Sequence, residues 1–200
     1  MRLTSGYLAD RKNPLKVQVD LDVDRQLISV TDNAGGVKEE DLRLLVAPGG
    51  SRNEPGAEVI GVFGVGSKRA GIALGEQVLI RTRFAKGPTF EIDITKDWLE
   101  SEDWRLPAYQ VPDIVQGTTQ VDVSHLRNSF SQRDVEDLIV HLGETYDWFL
   151  REGCVIEVNR AAVTPRNFEK WAFPPGFVPK PRHLTWTLAV ARFRLQSVPG

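Results

Sequence analysis

Residues 15–24, "LKVQVDLDVD", alternate strictly: Val17, Val19, Leu21 and Val23 are apolar, while Gln18, Asp20, Asp22 and Asp24 are polar. That period of two describes a strand with one buried face. Such a strand needs a neighbour to pair with and a layer of structure over its apolar side. The neighbour follows at once. Past the Asp24–Arg25 corner, "QLISVTD" reads as the returning arm of a hairpin. In that arm Ile28 and Val30 share their parity with Asp32, so a carboxylate is aimed to the same side as the apolar side chains. Burying an unpaired carboxylate is costly, and a partner is expected there.

The same reasoning carries along the chain. "VKEEDLRLLV" has helical spacing at Leu42, Leu45 and Val46, with glutamates suited to a helix N-terminus. "APGGSRNEPGAE" reads as a mobile loop. "VIGVFGVGSKRAGIALG" sets a glycine-rich turn before a small-residue helix ending near Gly75. "EQVLIRTRF" and "PTFEIDI" form a second hairpin, with Phe90, Ile92 and Ile94 on one face. After a connection carrying Trp98 and Trp104, "GTTQVDVSHL" is another strand. Ser131 caps a helix with Asp134 three residues on, and Val135, Leu138, Ile139 and Leu142 form its apolar stripe. "CVIEVNRAAV" is a strand entering a turn. The expected class is α+β, an antiparallel-leaning sheet with helices on one face.

Composition narrows the function. The 200 residues are long enough for one sizeable core, and a formal net charge of −2 argues against a chain-wide grip on nucleic acid or an anionic membrane. A single cysteine, Cys154, allows no internal disulfide and fits a reducing compartment. No apolar run is long enough to span a bilayer, so the expected setting is cytoplasmic. His125, His141 and His183 lack metal-ligand spacing and read as structural, as does Cys154.

The run Gly61, Val62, Phe63, Gly64, Val65, Gly66, followed by Ser67 and Lys68, has two readings. A tight turn before a helix accounts for such glycines. Alternatively the amides of Gly64, Val65, Gly66 and Ser67 face outward at a helix N-terminus, an arrangement that binds phosphate. "DNAGG", residues 32–36, is likewise turn chemistry when taken alone. Paired in order, with a loop and a helix between them, the two segments say more. "TDNAGGVKEEDL" resembles the adenine-binding box of the GHKL ATPase superfamily, which comprises gyrase, the large heat-shock chaperone, MutL-type and MORC-type proteins and sensor histidine kinases. "VIGVFGVGSKRAGIALGEQVLIRTR" is similar to its phosphate-binding box, nearest the chaperone and MORC branch.

That resemblance, running from about Leu15 to Val163, implies a Bergerat-type two-layer α/β sandwich with a mixed, mostly antiparallel sheet. It implies ATP or ADP as ligand, with Mg²⁺ accompanying ATP, and makes Ala47–Glu58 the ATP lid. Asp32 would accept a hydrogen bond from the adenine amino group, and Gly36 would let the purine approach the backbone. Ala34 stands where the family usually has glycine and requires a negative φ. A family threonine near the aspartate is offered twice, by Thr118 and Thr119. Parity favours Thr119, which shares its face with Val121 and Val123; the motif, a threonine directly after glycine, favours Thr118.

The family's first helix carries a catalytic glutamate and a Mg²⁺-binding asparagine. In this register Met1 and Ser5 fall at those positions, and Asp10 comes too late, so the general base and the metal ligands stay unassigned. The expectation is an ATP-binding domain over residues 1–163 that acts as a nucleotide-controlled switch, with homodimer contacts as a consequence of lid closure. The alternative is a scaffold module with a degenerate pocket. Residues 164–200, proline-rich and carrying the strand-like run "TWTLAVARFRL", read as an extension that starts a second, transducer-like domain and folds back or pairs with a neighbouring chain.

Overall fold

The computed structural model describes residues 13–46, 66–100, 105 and 107–166, with the backbone alone for 66–69. These lie within one compact unit, Met1–Phe168; of the extension expected over 164–200, residues 167–200 lie outside the described residues. The sheet has eight strands: β1 Lys16–Asp22, β2 Leu27–Asp32, β3 Gly75–Arg83, β4 Thr89–Thr95, β5 Tyr109–Val111, β6 Thr118–Leu126, β7 Val155–Val158 and β8 Ala161–Ala162. Their spatial order is β5-β4-β3-β6-β2-β1-β7-β8. Every adjacent pair is antiparallel except β1–β7. The mixed, mostly antiparallel sheet of an α+β fold is therefore present.

The hairpin registers follow the sequence parity. Val19, Val30, Val121, Ile80 and Ile92 stand in one row across β1, β2, β6, β3 and β4. Leu21, Ile28, Val123, Val78 and Ile94 make a second row on the same face. Gln18, Asp20, Ser29, Gln120, Asp122, Arg81 and Glu91 alternate to the other side. They satisfy one another there: Ser29 donates to Asp122 at 2.5 Å, and Arg81 pairs with Glu91 at 2.7 Å.

Helices cover the apolar face in two groups. Over β1 and β7 lie α4, Gln132–Thr145, and α5, Asp147–Arg151, with Val135, Leu138, Ile139 and Leu142 directed into a core around Leu15, Ile156 and Val158. Val158 is fully buried and Leu15 is 1% exposed; each such side chain contributes about 1.5–3 kcal/mol. The Asp134 carboxylate accepts the backbone N–H and the hydroxyl of Ser131, which fixes the start of α4. Over β3, β4 and β6, Leu42, Leu45 and Val46 pack with Trp98 and Leu99.

One detail departs from the sequence reading and two add to it. "VKEEDLRLLV" is not one helix but a 3-10 turn, Glu39–Asp41, followed by the short α1, Arg43–Val46. The Trp98 connection contains helix α3, Lys96–Glu100, and edge strand β5. "CVIEVNRAAV" turns back on itself as β7 and β8, with Asn159 and Arg160 both at positive φ. The Asn159 side chain accepts from the Leu21 N–H at 2.7 Å and donates to the Leu21 carbonyl at 3.1 Å, extending the parallel β1–β7 contact.

Candidate functional site

A third row on the covered face differs from the other two. It reads Val17, Asp32, Thr119, Thr82, Phe90 across β1, β2, β6, β3 and β4, so three polar side chains replace the central apolar ones. Asp32 is half-buried, Thr119 is half-buried and Thr82 is 1% exposed. Burial pushes the Asp32 carboxyl above the usual carboxylate range, and the Ala34 N–H, donating to it at 2.9 Å, offsets part of that rise. Thr82 Oγ1 lies 3.0 Å from Thr119 Oγ1 and accepts the Val37 N–H at 2.9 Å.

The loop behind Asp32 is held by its own sequence. The side chain of Asn33 accepts from Lys16 N–H at 2.7 Å and donates to the Pro14 carbonyl at 3.0 Å, tying the loop to the start of β1. Ala34 keeps a negative φ, whereas Gly35 and Gly36 have φ of +104° and +70°. A Cβ on Gly36 would run into the carbonyl of Arg83, so glycine is required there by contact as well as by conformation. Gly35 N–H donates to Gly117 O at 2.8 Å, and Gly117 N–H donates to Arg83 O at 3.0 Å.

Arg83 closes this wall from behind. Its guanidinium donates to the carbonyls of Gly87 at 3.0 Å and Ile114 at 2.7 Å and pairs with Asp113 at 2.6 Å. Lys38 stands 5.4 Å over the ring of Phe84 at the outer end of the same wall. The same sheet face also holds a cleft of about 320 Å³, lined by Leu21, Ile28, Leu74, Leu126, Phe130 and Leu138, one row beyond the all-apolar Val19 row. A broader hollow of about 500 Å³ lies at the β1–β2 hairpin end, with Asp20, Asp22 and Arg160 on its walls. Asp32 lines neither.

Of the residues singled out in the sequence, Asp32, Gly36 and Thr119 come together, and Thr118 does not join them. Thr119 stands directly across from Asp32 in the ladder. Thr118 pairs with Arg83 and projects to the opposite side of β6, where it is buried. Gly66 begins helix α2, Gly66–Leu74, with Ser67 and Lys68 in its first turn. Gly61, Val62, Phe63, Gly64 and Val65 lie outside the described residues, as do the lid segment and residues 1–12. Thr82, Arg83 and Asn33 are site residues that the sequence pattern does not single out. Thr82 carries the same signal as Asp32, a polar side chain ending an apolar alternation that includes Val78 and Ile80.

No group of three His, Cys, Asp or Glu side chains that could hold a metal ion occurs among the described residues, so Mg²⁺ is given no ligand here. Cys154 is 4% exposed and its thiol is raised by burial, which fits core packing. Among the described residues no helix is long and apolar enough to cross a membrane.

Comparison with known proteins points the same way. Residues 6–125 match a family model described as histidine kinase-, DNA gyrase B-, and HSP90-like ATPase. The fold is similar to the ATPase region of Saccharomyces cerevisiae topoisomerase II bound to ICRF-187 (dexrazoxane), at a TM-score of 0.55 and 13% identity over 76% of this chain. A second structure of that region gives a TM-score of 0.54 at 12% identity. In each case the match spans 44% of the topoisomerase chain. No curated protein is matched by sequence.

Proposed function

Since the chain belongs to the histidine kinase-, DNA gyrase B- and HSP90-like ATPase family, we propose that it binds ATP or ADP with Asp32 reading the base. The observation that carries this reading is the placement of Asp32. A carboxylate on the covered, mostly apolar sheet face costs stability, and its neighbour across the ladder is the hydroxyl-bearing Thr119. An acceptor held in such a place contributes to function by waiting for a donor, and the adenine amino group is one. The positive-φ glycines behind it support the same reading, because a purine can approach their backbone without meeting a Cβ.

In this reading Gly61–Gly66, Ser67 and Lys68 hold the phosphates, Ala47–Glu58 covers them, and nucleotide occupancy acts as a conformational switch, with dimer contacts as its output. Mg²⁺ would arrive with ATP. The proposed activity is nucleotide binding; no residue is assigned as general base, and hydrolysis forms no part of the proposal. Titration calorimetry with ADP tests it. The wild-type chain should bind, and Asp32→Ala should weaken binding by about 1–3 kcal/mol, the scale of a lost buried polar contact. Undiminished affinity in the variant would remove Asp32 from the site. No ADP affinity in the wild type would favour a scaffold module with a degenerate pocket.

A further inference from the structure

Thr82 is the most deeply buried of the three polar side chains in the row, at 1% exposure. Its Oγ1 accepts the Val37 N–H at 2.9 Å and lies 3.0 Å from Thr119 Oγ1. A backbone amide can only donate, so Val37 takes a lone pair of Thr82. The Thr82 proton then needs an acceptor inside the fold, because a buried hydroxyl proton left without one is destabilising. Among the described residues, Thr119 Oγ1 is the acceptor within reach. The bonds therefore run in one direction, from Val37 N–H to Thr82 and from Thr82 O–H to Thr119. Thr119 is barred from donating back, and its own proton is turned away from Thr82. What it meets there is the space it shares with Asp32, its partner across the β2–β6 ladder.

We propose that Thr82 is a positioning residue: it fixes Thr119 as a hydrogen-bond donor beside the acceptor Asp32, and so makes the site select an adenine edge over a guanine edge. The inference rests on the nucleotide reading above. Adenine presents its amino donor next to the N1 acceptor. Guanine presents the O6 acceptor next to the N1–H donor, the reverse order. Adenine therefore satisfies Asp32 and Thr119 together, while guanine sets acceptor against acceptor and donor against donor. Sites built from buried hydrogen-bonding groups discriminate strongly in this way, since a mismatched base leaves several groups unpaired at once.

The test is calorimetry of the 200-residue chain with ADP and with GDP, on wild type, Thr82→Val, Thr82→Ser, Thr119→Val and the double valine variant, each checked by thermal melting. Thr82→Val should lower ADP affinity by about tenfold, the scale of a hydrogen bond or two, while GDP is not weakened in step. The ADP preference should thus shrink, and Thr82→Ser should keep it. Because Thr82 acts through Thr119, the double variant should be no less selective than Thr119→Val alone. Equal losses for ADP and GDP, or an unchanged preference in Thr82→Val, overturn the inference while leaving nucleotide binding intact. Absence of ADP binding to the wild type overturns both. Should Thr82→Val not fold, the wild type decides through ADP against its 1-deaza analogue, which has C–H in place of N1. A loss of about tenfold is expected, and equal affinity overturns the donor assignment.

Discussion

Asp32 and Thr119 face one another across the β2–β6 ladder, yet the Thr119 hydroxyl is engaged with Thr82 on its far side and the Asp32 carboxylate with the Ala34 amide. The two groups are neighbours held apart by separate bonds. A carboxylate and a hydroxyl that simply satisfied each other would be a structural pair. Held separately, they leave an acceptor and a hydroxyl facing the same space, the condition a ligand site requires.

The first prediction concerns what that arrangement costs the free protein. Burial raises the Asp32 carboxyl in the fold above its ordinary value of 3.8. The folded state then holds the proton more tightly than the unfolded chain, so stability falls as pH rises from 3.8 to the folded value and stays reduced above it. Asp32→Asn keeps an oxygen for the Ala34 N–H and removes the charge. The variant should melt at a higher temperature than wild type at pH 7, and the gain should vanish as pH drops toward 3.8. Added ADP should reverse the order by stabilising wild type more. Thermal melts at both pH values, with and without ADP, decide; an Asn variant less stable at pH 7 would mean the carboxylate has a compensating partner.

Much of this site is legible in the sequence, and the reason is periodicity. Parity places Asp32 and Thr119 with Val30 and Val121, and the ladder has them so. The Ser131–Asp134 cap and the stripe from Val135 to Leu142 are equally local signals, fixed by spacing within one turn or two. What stays hidden depends on pairing between distant segments. Thr82 has the same inward parity, but nothing in "IRTRF" reveals that β3 pairs with β6 and brings its hydroxyl to Thr119. The parallel β1–β7 pair joins Lys16 to Val155, across more chain than any turn signal reaches. The β5 edge strand has three residues, too few for alternation to declare itself. Arg83 looks in sequence like any solvated strand-end cation.

A second prediction addresses that arginine. The Arg83 side chain, only 15% exposed, bonds two carbonyls and Asp113, and so ties the β3–β4 turn to the segment entering β6. Arg83→Met preserves the packing of the stem and removes all three bonds. The expected loss is about 2–3 kcal/mol, since two carbonyls and a carboxylate lose a charged donor, with solvent around the exposed Asp113 softening the effect. Denaturant unfolding with an unchanged slope should report it. A loss below about 0.5 kcal/mol, the range of ordinary surface changes, would show that the loop is held by its backbone bonds alone.

The last prediction separates collision from conformation at the glycines. Gly36 has φ +70° and faces the Arg83 carbonyl, which a Cβ would strike. That carbonyl cannot retreat freely, because it accepts the Gly117 N–H at 3.0 Å, and Gly117 in turn accepts from Gly35. Gly153 also has a positive φ, +101°, but a Cβ there would meet nothing within 4 Å. Alanine at Gly153 therefore bears backbone strain alone, about 1–2 kcal/mol. Alanine at Gly36 bears comparable strain and must also displace the Arg83 carbonyl, breaking the line of bonds from Gly35 through Gly117. Gly36→Ala should cost at least about 1–2 kcal/mol more than Gly153→Ala, one or two backbone hydrogen bonds beyond the shared strain. It should also depress ADP affinity, whereas Gly153→Ala, at the end of the helical layer before β7, should leave affinity unchanged. Paired unfolding and calorimetric measurements test both halves. Equal destabilisation by the two alanines would mean that the wall around Gly36 yields to a Cβ, and that the glycine is needed there for its φ and not for the close approach of Arg83.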